Sequence, residues 1–182
     1  MNIAIVNGKG GVGKTTVALG LTLCLEQAKR KVLAIDLDPQ ASFTSSLARL
    51  DKSLMLEVKD PDFIITDTPS RLYEHAPQAI ENADKIIIVC KPGYGPDLET
   101  TMDTLNLIER AGRLDDSYLL FNMVKKGTKA EKLIEMIDFG NITKIPHYLY
   151  EWEEISRIHS KGVECLTGRS KKILGNILLS II

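Results

Sequence analysis

Six short apolar runs punctuate the chain, at 2–7, 31–36, 62–67, 85–90, 117–122 and 141–145. Most are continuous rather than alternating, and Lys85-Ile86-Ile87-Ile88-Val89-Cys90 is the clearest. A strand with one wet face alternates polar and apolar residues, whereas a strand covered on both faces does not. Between the runs, apolar residues recur at helical spacing near 15–29, 41–50, 73–82, 97–111, 129–138, 150–160 and 170–182. Strand and helix taken in turn predict an α/β fold, a doubly wound and mostly parallel sheet with helices on both faces. No internal repeat, linker or low-complexity stretch breaks the rhythm, so one domain is expected over 1–182. In such sheets ligands bind outside the carboxyl ends of the strands, so the strand ends are where chemistry is sought.

The first strand end is the most informative. Gly8-Lys9-Gly10-Gly11-Val12-Gly13-Lys14-Thr15 fits G-x-x-x-x-G-K-[ST], the phosphate-cradling P-loop. Glycines let the backbone curl until several N–H groups point inward. Lys14 supplies a point charge for the β- and γ-phosphates, and Thr15 offers a hydroxyl to Mg²⁺. An apolar strand precedes the loop and a helix follows it, which is the phosphate-binding context.

The other strand ends supply oxygen and amide groups. Phe63-Ile64-Ile65-Thr66-Asp67 is an apolar strand closed by a carboxylate, the Walker B pattern. A hard cation that keeps several waters wants such an oxygen, so Asp67 is expected to hold Mg²⁺ through one of those waters. Asp36 and Asp38 lie two apart after the second strand. One is expected at Mg²⁺ or its water shell, and the other to orient an attacking water; the competing assignment is a plain Asp38-Pro39 turn. Asn122 offers both donor and acceptor to a purine edge, or else caps a helix. Pro146 either lends an apolar surface beneath a base or only begins the next loop.

Composition narrows the classes. In 182 residues, 44% are hydrophobic and 26% charged, so a full core is within reach. A net charge of −1 means that any DNA or membrane contact needs a local basic patch. Cys24, Cys90 and Cys165 are widely spaced and odd in number, and form neither a disulfide framework nor a metal motif. No apolar run reaches the roughly 18 residues of a membrane span. The N-terminus enters a strand at once, so no signal peptide is expected. A cytoplasmic setting follows as the expectation.

Together these residues resemble the ParA/MinD family of P-loop ATPases, the deviant Walker A group. The resemblance rests on Lys9-Gly10-Gly11-Val12-Gly13-Lys14-Thr15-Thr16, Asp36-Leu37-Asp38-Pro39-Gln40, Asp67-Thr68-Pro69, Asn122 and Ile145-Pro146. It implies Mg-ATP as cofactor and a sandwich homodimer with two nucleotides at the interface. Lys9 becomes the signature lysine that reaches the partner's phosphates, while Lys14 serves its own. Thr15 is implied as a Mg²⁺ ligand and Thr16 as the cap of the α-phosphate. Asp38 looks like the switch residue that orients water, and Asn122 like the asparagine that reads adenine. A cation supplied in trans stabilises the charge of the transferring phosphoryl, which makes hydrolysis conditional on dimerisation.

The Asp-Pro-Gln-Ala-Ser version resembles small ParA partition proteins, and no helix-turn-helix extension is expected. The interval from Asp38 to Asp67 is shorter than the resemblance implies. The expected activity is a slow ATPase that segregates or positions DNA, is nucleoid-associated, and is stimulated by a ParB-like partner. Non-specific DNA binding would run on basic side chains. Candidates are Lys125, Lys126, Lys129 and Lys132, then Arg157, Lys161, Arg169, Lys171 and Lys172.

The alternative is a MinD-like positioning ATPase on a membrane. There the amphipathic end, with Ile173, Leu174, Ile177, Leu178 and Ile181 on one face, would be the anchor. That end carries only two basic residues, so a core helix is the expectation and membrane contact is not. Lys9 and the Asp36-to-Gln40 motif argue against a small-molecule ligase or kinase.

Overall fold

The computed structural model describes residues 1–70, 76–93 and 95–182. The chain alternates β1 (Asn2–Val6), α1 (Lys14–Gln27), β2 (Val32–Asp36), α2 (Ser42–Arg49), β3 (Phe63–Asp67) and α3 (Ala76–Asn82). It continues with β4 (Lys85–Cys90), α4 (Pro96–Arg110), β5 (Ser117–Phe121), α5 (Lys129–Met136), β6 (Thr143–Lys144), α6 (Glu153–Lys161) and α7 (Gly168–Leu179). Every apolar run became a strand, although the last is only two residues long. Leu54-Met55-Leu56 lies in a 3₁₀ turn at Ser53–Leu56. Of the helix expected at 73–82, positions 73–75 lie outside the described residues.

All pairings are parallel, in the order β2-β3-β1-β4-β5-β6. β1 sits between β3 and β4, so the chain reverses its direction of winding around the strand that feeds the P-loop. Crevices at such reversals are where doubly wound sheets bind ligands. The register sets Asp67 opposite Ile5 on one side and Asp36 on the other. Two carboxylates thereby reach the same rim as the P-loop.

The pleat divides the apolar strand residues between two cores. Ile3, Ile5, Ile65, Ile87, Val89 and Leu120 face one layer, which they share with α1, α2, α6 and α7. Ala4, Val6, Ile86, Ile88, Leu119 and Phe121 face the other, with α3, α4 and α5. This explains the continuous apolar runs: period 2 loses its contrast when both faces are dry. α7 belongs to the first core. Leu174, Ile177 and Leu178 are 1%, 0% and 6% exposed, and Ile181 just beyond the helix is 2% exposed. The apolar face available to a membrane in the sequence is spent inside the protein. Among the described residues no helix is long and apolar enough to cross a membrane.

Candidate functional site

The loop between β1 and α1 is built by braces on both sides. Asn7 closes β1 and is fully buried. Its amide nitrogen donates to the Val89 carbonyl at 2.8 Å and to Thr101 Oγ1 at 3.1 Å, and its oxygen accepts from the Lys9 amide at 2.9 Å. The Gly8 amide donates to Thr104 Oγ1 at 3.1 Å. α4 thus holds the entry to the loop. At the exit Gly13 takes φ +89 as the residue before α1. A Cβ there would be strained by that φ and would collide with the Asn122 side chain. Asn122 lies 1% exposed and donates from Nδ2 to the Val12 carbonyl at 2.8 Å.

That position gives Asn122 a duty within the fold. Its amide nitrogen is turned onto the loop backbone, where it bonds the Val12 carbonyl and packs against Gly13. Sequence could not tell this duty from contact with a base, since both need an amide at the end of β5. Pro146 stands exposed after β6 and does not line the cleft over the loop.

That cleft, of about 350 Å³, is lined by Gly11, Gly13, Lys14, Thr15, Thr16, Asp38, Ser42, Ser70, Met123 and His159. A larger hollow of about 530 Å³ beside Trp152 and Arg169 shares none of these residues. The P-loop cleft is therefore the hollow in which the residues expected from the sequence gather. Lys14 is 6% exposed and donates to the Lys9 carbonyl at 3.3 Å and to Ser70 Oγ at 3.2 Å. Burial lowers its pKa, against the opposing pull of Asp67 and Asp38. An anion arriving in the cleft would restore the environment that favours its charged form.

Thr15 and Asp67, each expected at Mg²⁺, lie side by side, with Thr15 Oγ1 donating to Asp67 Oδ2 at 2.6 Å. Asp67 is fully buried, and its Oδ1 has no hydrogen-bond partner. Burial is the main cause that pushes its pKa up to about 7; the Thr15 hydrogen bond and Lys14 oppose this, and Asp36 and Asp38 add to it. A buried, partnerless carboxylate oxygen beside a hydroxyl is a pair of hard oxygen donors short of one positive charge. These residues fit Mg²⁺.

Asp36 is engaged by the backbone of its own turn. Its Oδ1 accepts from the Asp38 amide at 3.1 Å and its Oδ2 from the Thr44 amide at 2.9 Å. The carboxylate pins the turn and the first residues of α2 rather than standing free at the rim. Asp38 lines the cleft, and its Oδ1 accepts from the Gln40 amide at 3.0 Å. Thr68 ties the segment after β3 to β1 by donating to the Ile5 carbonyl at 2.8 Å.

Several site residues were not expected from sequence. Asn7 had a usable signal, a polar residue ending an apolar run directly before the loop. Ser70, Met123 and Thr104 had none beyond their nearness to strand ends or to an amphipathic helix. His159 had none at all: it reaches Thr16 from α6, 143 residues away, with Nε2 2.9 Å from Thr16 Oγ1.

Residues 3–164 match the CobQ/CobB/MinD/ParA nucleotide binding domain. The chain belongs to this family. Over 120 residues it is 35% identical to Maintenance of carboxysome distribution protein A of Gloeobacter kilaueensis, a match covering 57% of this chain and 55% of that protein. Over 45 residues it is 53% identical to the sporulation initiation inhibitor protein Soj of Bacillus subtilis, covering 25% of this chain and 18% of that one. The chain thus matches little more than half the length of the first relative and less of the second. Its fold is that of a plasmid partition protein from Borrelia burgdorferi solved with AMPPNP, at TM-score 0.79 and 20% identity over 100% of this chain and 99% of that one. A P-loop on a parallel six-stranded sheet, in a CobQ/CobB/MinD/ParA domain, makes this a nucleotide-binding protein.

Proposed function

We propose that this chain is a ParA-like ATPase that closes into a homodimer around ATP and Mg²⁺, binds DNA non-specifically as that dimer, and positions or segregates a DNA-linked cargo. The observation that carries the reading is the convergence of Lys14, the Thr15–Asp67 pair and Asp38 on one cleft, with the second lysine, Lys9, in the same loop. Backbone amides of the loop and the start of α1 receive the phosphates. Lys14 meets the β- and γ-oxygens, Thr16 the α-phosphate, and Asp38 holds the attacking water in line. Mg²⁺, held by Thr15 directly and by Asp67 through water, would neutralise charge on the β- and γ-phosphates. Lys9 reaches the nucleotide of the second copy, so hydrolysis waits on dimerisation and a partner can set its rate. A small basic ParB-like protein is the expected stimulator. Lys125, Lys126, Lys129 and Lys132, on the loop after β5 and on α5, are the leading DNA contacts.

Steady-state hydrolysis combined with light scattering tests the assignment. Lys9→Ala should abolish both turnover and the ATP dimer. Asp38→Ala should lower turnover at least tenfold while the ATP dimer persists, since positioning a nucleophile is worth about that much or more. Full activity in either variant overturns the role given to that residue.

A further inference from the structure

The hydrogen bonds around His159 take their direction from the Ser46 hydroxyl. Ser46 Oγ donates to the Ser42 carbonyl at 2.8 Å, which spends its only proton. His159 Nδ1 lies 2.8 Å from that same oxygen; with the Ser46 proton assigned to the carbonyl, Nδ1 carries the ring proton and donates. In a neutral imidazole Nε2 is then an acceptor. It stands 2.9 Å from Thr16 Oγ1, and the bond between them requires Thr16 to donate. Burial, then the neighbouring Arg49, lower the His159 pKa and favour the neutral ring. Arg49 also donates to the His159 carbonyl at 3.2 Å. Charged residues on the elements packed against α6 are Lys14 and Glu26 of α1, Arg49 of α2 and Glu164 of the following turn. Asp38 lines the same cleft, and Glu153, Glu154, Arg157 and Lys161 share the helix.

We propose that His159 is a positioning residue of the nucleotide site: its neutral ring, locked in one tautomer by Ser46, holds the single Thr16 proton that a phosphate oxygen needs. The inference rests on the reading that Thr16 meets the nucleotide's phosphate. The Thr16 hydroxyl donates once, either to the ring or to phosphate. When Nε2 gains a proton, by protonation of the ring or by a change of tautomer, it donates to Thr16 and releases that proton toward the cleft. His159 is thereby a latch against phosphate, set by hydrogen bonding between α2 and α6.

The test is nucleotide affinity, read by titrating a fluorescent ADP analogue into the full chain with Mg²⁺ between pH 8 and pH 5.5. His159→Gln can turn its NH₂ toward Thr16, so the latch is gone. It should bind about 3- to 10-fold tighter than the unaltered chain at pH 8, the worth of one released hydrogen bond. The ratio between the two proteins should close as pH falls and the imidazole protonates; titrations of the nucleotide and of Asp67 cancel in that ratio. Adding Thr16→Val to His159→Gln should erase the gain, whereas a purely structural role would leave the two changes additive. Ser46→Ala, which frees the tautomer without touching the ring, should shift affinity in the same direction and carries the test if the glutamine variant fails to fold. Equal affinities at pH 8, or a gain that survives Thr16→Val, overturn the proposal. No binding by the unaltered chain overturns the functional reading itself, and this inference with it.

Discussion

The Asp67 side chain is the least comfortable group in the molecule. Its carboxyl stays protonated in the folded chain up to about pH 7, whereas an unfolded chain loses that proton near 3.8. Between those values the folded state binds more protons, so the stability tied to this group falls as pH rises and is lowest above pH 7. The cost is on the order of a few kcal/mol, and a bound cation offsets it. Without divalent metal, the melting temperature should therefore decline from pH 5 to pH 8, and Mg²⁺ should raise it at pH 8 far more than at pH 5. Asp67→Asn should flatten the pH profile and remove the Mg²⁺ effect, as calorimetry would show. At this scale Thr15 and Asp67 were each singled out in the sequence, one by the P-loop pattern and one by the carboxylate that closes an apolar strand, while their contact came from the fold. Asp36 and Asn122 were located, but their backbone contacts were not foreseen, because a carboxylate or amide at a rim can bind a ligand or brace a backbone. Only the partners within hydrogen-bond reach decide which.

Elements were read more securely than residues. The strands and helices follow from apolar periodicity, and most of their ends moved by only a few positions. What periodicity left open was the use of an apolar face, and α7 is the example. Its stripe suits a membrane surface as well as a core, and the sequence contains no term for what lies opposite. In the fold, α1 lies opposite: a Cβ on Gly20 would come within 3.0 Å of Leu174 Cδ2. Such close approach makes α7 a structural helix. Leu174→Ala should cost about 2–5 kcal/mol in urea unfolding, the range for a buried leucine truncated to alanine. A change below about 0.5 kcal/mol, the size of an ordinary surface substitution, would mean that α7 does not depend on this packing.

At the scale of the whole molecule, a net charge of −1 coexists with four lysines between 125 and 132. Parallel strands put the loop after β5 on the same edge as the P-loop, so nucleotide-driven dimerisation would double a basic surface near the joint. Lys125 pairs with Glu151 at 3.2 Å, which makes Lys126, Lys129 and Lys132 the stronger candidates. Duplex DNA binding in ATP should weaken linearly in log K against log salt. Replacing these three by alanine should flatten the slope by about 0.9 for each DNA phosphate that is no longer neutralised. An unchanged slope would move the DNA surface elsewhere.

The sequence by itself determined the fold class, the order of elements, the P-loop and the carboxylate that closes β3. Each of these depends on residues close together in the chain, through glycine conformation, hydrophobic period or the oxygen chemistry of a cation. The tertiary structure alone decided that Asn122 clamps the loop, that Asp36 pins α2, that α7 is core, and that His159 reaches Thr16. Those outcomes depend on which groups meet once the elements are packed against one sheet, in several cases across more than a hundred positions of chain. No local pattern carries that information.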